Sequence, residues 1–91
     1  MRSHRIEVGP AAMTMLRRIA PQDQARIRGV IVLLGHDPRP PGAKALRGRP
    51  GLRVRVGNYR IIYTIEDEVV LVVAVTIGHR RDVYNHSPTA F

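Results

Sequence analysis

The chain has 91 residues, 44% of them apolar, and no cysteine; that is one small domain with a thin stability margin, in which disulfides and thiolate metal sites are excluded. Its formal net charge is +8, and Lys44 is the only lysine among fifteen basic residues, so nucleic acid is the leading partner class, because arginine offers phosphate a fixed pair of donors. The longest apolar run, Val69–Val75, is too short to span a bilayer, and the basic start Met1-Arg2-Ser3-His4-Arg5 lacks the apolar stretch of a signal peptide, so a cytoplasmic protein with no membrane partner is expected.

Arg5-Ile6-Glu7-Val8 alternates and predicts a short strand, which Gly9-Pro10 breaks. Pro10 suits a first helical turn, where its missing N–H leaves nothing unpaired. Ala12, Met15, Leu16 and Ile19 then recur at helical spacing. Pro21 ends that helix or starts the next. Ile27, Val30, Ile31 and Leu34 make an i, i+3, i+4, i+7 stripe on a second helix, with Gly35 as the expected stop. The tight join at Ala20-Pro21 makes the two an αα-hairpin. Residues 37–51 carry four prolines and three glycines among them (Pro38, Pro40, Pro41, Gly42, Gly48, Pro50, Gly51) and predict a loop, with no more than one turn of structure around Ala43–Leu46.

Three strands follow: Leu52–Val56, Tyr59–Ile65 and Val69–Gly78, with Glu66-Asp67-Glu68 turning between the last two. Val69–Ile77 is apolar on both faces, which places it inside a sheet. His79–Asn85 leaves that strand's end, and residues 86–91 read as a tail. The expected fold class is α+β: an N-terminal strand, a two-helix hairpin and a three-stranded antiparallel meander, in one mainly antiparallel sheet packed by the helices. A single domain spans residues 1–91.

The chemistry concentrates in the hairpin. Gly57-Asn58 is a two-residue turn signal between alternating apolar residues. Alternation sends Leu52, Val54 and Val56 to one face and Arg53 and Arg55 to the other. A two-residue loop sets Val56 opposite Tyr59 and Arg55 opposite Arg60. Like charges directly opposed destabilise a strand pair, so an anion over both is the natural reason to keep them. From Pro38 to Thr64 there are seven basic residues (Arg39, Lys44, Arg47, Arg49, Arg53, Arg55, Arg60) and no acidic one. A merely arginine-rich composition accounts for the scattered Arg17, Arg18, Arg26 and Arg28 better than for this acid-free segment.

Two further groups stand near that face. Lys44, Arg47 and Arg49 lie in the loop, and Gly78-His79-Arg80-Arg81-Asp82-Val83-Tyr84 follows the buried strand, where polar loops on a rigid scaffold carry function. Arg60 and Arg80 are the best candidates for stabilising negative charge in phosphoryl transfer. Arg81 is equally suited to pairing with Asp82. Tyr84 either stacks on a base or anchors the C-terminal segment on the sheet. His79 is either an acid–base group, with an imidazole titrating near ~6.5, or an exposed strand-end residue. Tyr59 and Tyr63 share the apolar face and belong to the core. No metal-binding spacing and no phosphate-cradling glycine loop occurs, so no cofactor is expected.

Lys44-Ala45-Leu46-Arg47-Gly48, the hairpin Gly57-Asn58-Tyr59-Arg60-Ile61-Ile62-Tyr63 and the ending His79–Tyr84, in this order, resemble the RelE toxins of the RelE/ParE superfamily, from about His4 to Tyr84. The resemblance implies a ribosome-dependent endoribonuclease that cuts mRNA in the decoding site without a metal. The ribose 2′-OH attacks the adjacent phosphodiester and leaves a 2′,3′-cyclic phosphate and a 5′-OH. It also implies roles: Arg53 and Arg55 at the nucleophile, Arg60 and Arg80 on the scissile phosphate, Tyr84 on the nucleotide. The family often has Lys where Arg53 and Arg55 stand. Arginine stays protonated and is a poor general base, so either the ribosome and RNA arrange the 2′-OH or His79 takes its proton. Lys44, Arg47, Arg49 and Arg81 are the expected further RNA and ribosome contacts. The implied partner is a small acidic RelB-like antitoxin. Alternatives are a ParE-like gyrase inhibitor, a non-catalytic nucleic-acid-binding module and a toxin relic of decayed activity.

Overall fold

The computed structural model describes residues 3–77. Their elements are β1 (Arg5–Val8), α1 (Pro10–Arg18), α2 (Pro21–His36), β2 (Lys44–Ala45), β3 (Leu52–Val56), β4 (Tyr59–Glu66) and β5 (Val69–Ile77). They form one five-stranded sheet in the order β1-β5-β4-β3-β2. Only β1 with β5 is parallel; the other pairs are antiparallel. This is the α+β arrangement expected from the sequence.

Both helices begin with proline in the first turn, where no N–H is needed. The free carbonyls ending α1 are met from its neighbour. The Gln24 side-chain amide donates to Leu16 O at 2.6 Å and to Ile19 O at 3.4 Å, which locks the helix hairpin at its corner. The helical stripes then bury Ala12, Leu16, Ile19, Ile27, Ile31 and Leu34 against Val54, Val56, Ile61, Tyr63, Val70, Val72 and Val75. The helices therefore cover one sheet face, and the alternate residues of β3 and β4 point to the other.

Gly35 departs from its expected role as the helix stop. It lies inside α2, which runs on to His36, and its φ is not positive. What it permits is close approach: a Cβ there would stand 2.9 Å from Ile6 Cδ1 and 3.1 Å from His4 O. The His4 N–H donates to Gly35 O at 2.7 Å, so the missing side chain lets β1 lie against α2. A second departure is β2. The segment expected as loop holds a two-residue edge strand, with Lys44 opposite Arg53 and Ala45 opposite Leu52. Two residues make no alternating pattern for sequence to reveal.

The β3–β4 register matches the expected hairpin, with Val56 opposite Tyr59 and Arg55 opposite Arg60. Gly57 takes φ 59°, the positive value a tight hairpin turn asks of its first central residue. β5 lies between β1 and β4, as its two-faced apolar pattern requires. Its ladder with β4 breaks register: Ile62 faces Ala74 while Tyr63 faces Val72. The extra residue is Val73, 41% exposed. This bulge shifts the strand's parity, so Val72 and Val75 both reach the core.

Candidate functional site

The cations of β3 and β4 share the sheet face away from the helices. Lys44 of β2 sits opposite Arg53, and Arg55 sits opposite Arg60. Gly42, Lys44, Arg53, Arg55 and Arg60 line an open groove of about 400 Å³. A second groove of similar size, bounded by Ala45, Leu46, Arg47, Arg49, Arg53 and Arg60, adjoins it. Arg53 and Arg60 belong to both. The two grooves form one cationic trough across the edge of the sheet.

Among the described residues no anionic side chain lines this trough. Two ion pairs among the described residues, Arg5–Glu7 at 3.3 Å and Arg26–Asp23 at 3.6 Å, involve no groove cation. Arg60 is the most constrained of the set. It is half-buried, and its Nε is enclosed without a hydrogen-bond partner among the described residues. Burial, and then repulsion from Arg53 and Arg55, push its guanidinium below its usual pKa. A protonated, partly desolvated cation with an unused donor and two cations beside it is stabilised by any anion that enters.

A third, smaller groove of about 250 Å³ lies among Arg39, Pro50, Gly51, Leu52, Thr64, Ile65 and Glu66. Thr64 Oγ1 is also enclosed without a partner among the described residues. Gly42 also lines the main groove, and no local signal in the sequence marks it. Of the candidate residues, Arg53, Arg55, Arg60 and Lys44 come together, with Arg47 and Arg49 on the adjoining groove. His79, Arg80, Arg81 and Tyr84 lie outside the described residues. Tyr63 is in the core as expected, fully buried, but its hydroxyl reaches a loop: it donates to Pro38 O at 2.7 Å. Among the described residues no group of His, Asp and Glu is placed to hold a metal ion, and no helix is long and apolar enough to cross a membrane.

A two-helix hairpin on one face of a small mixed sheet is an arrangement also found among toxin structures. The isolated Escherichia coli RelE toxin superposes with a TM-score of 0.75 at 23% identity, covering 94% of this chain and 96% of that one. The intact E. coli RelBE toxin–antitoxin complex gives 0.73 at 24%, covering 86% and 100%. The archaeal RelE–RelB complex from Pyrococcus horikoshii OT3 gives 0.73 at 20%, covering 86% and 98%. At these identities the likeness is one of fold. No curated protein sequence matches the chain. Residues 6–84 match the family model of the ParE toxin of the type II toxin–antitoxin system parDE. The chain belongs to that toxin family, within the RelE/ParE superfamily.

Proposed function

We propose that this type II toxin is an mRNA endoribonuclease acting on the ribosome, with the cationic trough as its phosphate site. The observation that carries the reading is the grouping of Arg53, Arg55 and Arg60 on one sheet face, with no acid among the described residues that line the trough. Cleavage of RNA by its own 2′-OH needs little from the protein beyond position and charge. The 2′-oxygen bonds to phosphorus, its proton passes to a base, and the bond to the 5′-oxygen breaks as that oxygen gains a proton. Negative charge grows on the non-bridging oxygens, where fixed guanidinium donors stabilise it. Arg60 and Arg53, shared by both grooves, hold the scissile phosphate, and Arg55 neutralises charge at the nucleophile. None of these arginines is a workable base. His79 is assigned the proton, Arg80 a further phosphate contact and Tyr84 the nucleotide; Lys44, Arg47, Arg49 and Arg81 contact neighbouring RNA. The net charge of +8 suits neutralisation by an acidic antitoxin, and the solved RelBE and RelE–RelB complexes support a partner of the RelB kind.

The family model named for ParE favours a second reading, inhibition of DNA gyrase by protein contact. One experiment separates the two. Purified protein is added to ribosomes programmed with a defined codon, and mRNA ends are mapped by primer extension, with Arg60→Ala and Arg80→Ala as controls. A cut inside the codon, lost in both variants, carries the nuclease reading. No cut, together with gyrase-dependent DNA breaks in a parallel reaction, carries the other.

A further inference from the structure

We propose that Tyr63 is a positioning residue of the cationic trough, its buried hydroxyl setting the loop that brings Lys44 to face Arg53. This rests on the reading of the trough as a site for RNA phosphate. Tyr63 belongs to the same strand as Arg60 but points the other way, into the core. Its hydroxyl donates to Pro38 O at 2.7 Å, across 25 residues of chain. Burial raises the pKa of that hydroxyl, Arg39 opposes the rise and Asp37 adds to it, so it stays a neutral donor at physiological pH.

Pro38 opens the segment that supplies Gly42 and Lys44 to the groove. Asp37 Oδ1 accepts from the Arg39 N–H at 3.2 Å, and the Ala43 N–H donates to Pro40 O at 2.9 Å. The segment is thus a run of turns hung from the Tyr63 hydroxyl and ending at Lys44 in register with Arg53. On the far side of β2 the chain returns past Tyr63 again: a Cβ on Gly51 would stand 3.1 Å from Tyr63 O. The Tyr63 hydroxyl thus holds the chain before β2 and its backbone carbonyl lies close to the chain after it, while Arg60, three positions earlier on β4, lines the groove with Lys44.

The test is the salt dependence of binding to a short fluorescent single-stranded RNA, because each lost phosphate contact lowers the slope of log affinity against log salt by about 1. Lys44→Ala and Tyr63→Phe are each expected to lower the slope by about 1, and the double variant by no more than either alone. Arg55→Ala, carried by a strand outside the tethered loop, lowers it by about 1 with or without Tyr63→Phe. A wild-type slope in Tyr63→Phe, or additive losses with Lys44→Ala, overturns the inference and leaves the trough standing. Slopes unchanged by Lys44→Ala and Arg55→Ala alike overturn the trough reading and the inference with it. If Tyr63→Phe does not fold, Asp37→Ala breaks the same loop. Measured against Asp37→Asn, which removes the charge but keeps the acceptor, it is expected to lower the slope; equal slopes overturn the proposal.

Discussion

Arg55 stands directly across from Arg60 in the β3–β4 ladder, and neither cation forms an ion pair among the described residues. A directly opposed like-charge pair weakens a two-strand contact by about 0.2–1 kcal/mol. Replacing Arg55 by Thr, a good strand residue, is therefore expected to raise the urea midpoint of the free protein by a stabilisation of that order. The same change should weaken RNA binding and cleavage. A variant both less stable and fully active would contradict the view that the pair is kept for an anion.

Inorganic phosphate or sulfate should stabilise the free protein through Arg60. A ligand at a hundred times its Kd adds about 2.7 kcal/mol by mass action, and for a domain of this size each 1 kcal/mol moves Tm by roughly 4–8 °C. Kosmotropic anions stabilise any fold to some degree, so the measurement is a difference. The rise in Tm with phosphate should exceed that of Arg60→Ala at equal ionic strength. Parallel curves would mean that the half-buried arginine binds nothing.

Tyr63 gives a pH signature. Its hydroxyl has a folded-state pKa raised above 10.0 by burial. A group whose folded value is raised contributes stability that is fully present below the unfolded value and is lost as pH climbs through the folded one. Tyr63→Phe should therefore cost about 1–2 kcal/mol near neutrality, the loss of one buried hydrogen bond to a carbonyl left unpaired. That deficit should shrink above pH ~10, where wild type alone must keep this phenol from ionising. Denaturant titrations of both proteins at pH 8 and pH 11 check the sign.

Gly35→Ala opposes two effects. Alanine favours a helix interior by about 1 kcal/mol over glycine. Its methyl group would press on the His4 carbonyl and the Ile6 side chain at 3.1 and 2.9 Å, and overpacking of this kind costs about 1–3 kcal/mol. Ile6 can turn aside, but the His4 carbonyl is backbone in β1, so the clash wins and the melting temperature should fall. Gly29, with nothing within 4 Å of a Cβ, is the control: its alanine variant should melt higher.

If His79 takes the 2′-OH proton, cleavage rises with pH through the range in which an imidazole loses its charge, near ~6.5. His79→Ala should then abolish cleavage while ribosome binding persists. Unchanged cleavage in that variant would assign the proton to the RNA or the ribosome.

Much of this was legible in the chain itself. The limits of β1 follow from Arg5-Ile6-Glu7-Val8 and the break at Gly9-Pro10. The opposition of Arg55 and Arg60 follows from a two-residue turn at Gly57-Asn58 and side-chain alternation. Those are local rules of period and turn length, and they hold without knowledge of the rest of the molecule. Gly35 shows where such rules stop. A glycine near the end of an apolar stripe signals a helix stop, but here it serves the approach of β1, a neighbour some thirty residues earlier.

By itself, then, the sequence determined the order of the two helices and the four longer strands, the face on which Arg53, Arg55 and Arg60 stand, and the absence of acids between Pro38 and Thr64. Periodicity and charge are properties of the chain alone. Tertiary structure decided the edge strand that brings Lys44 opposite Arg53, the bulge at Val73 and the bond from Tyr63 to Pro38. Each of these joins residues by the shape of a packed core, and packing is settled only when distant segments meet.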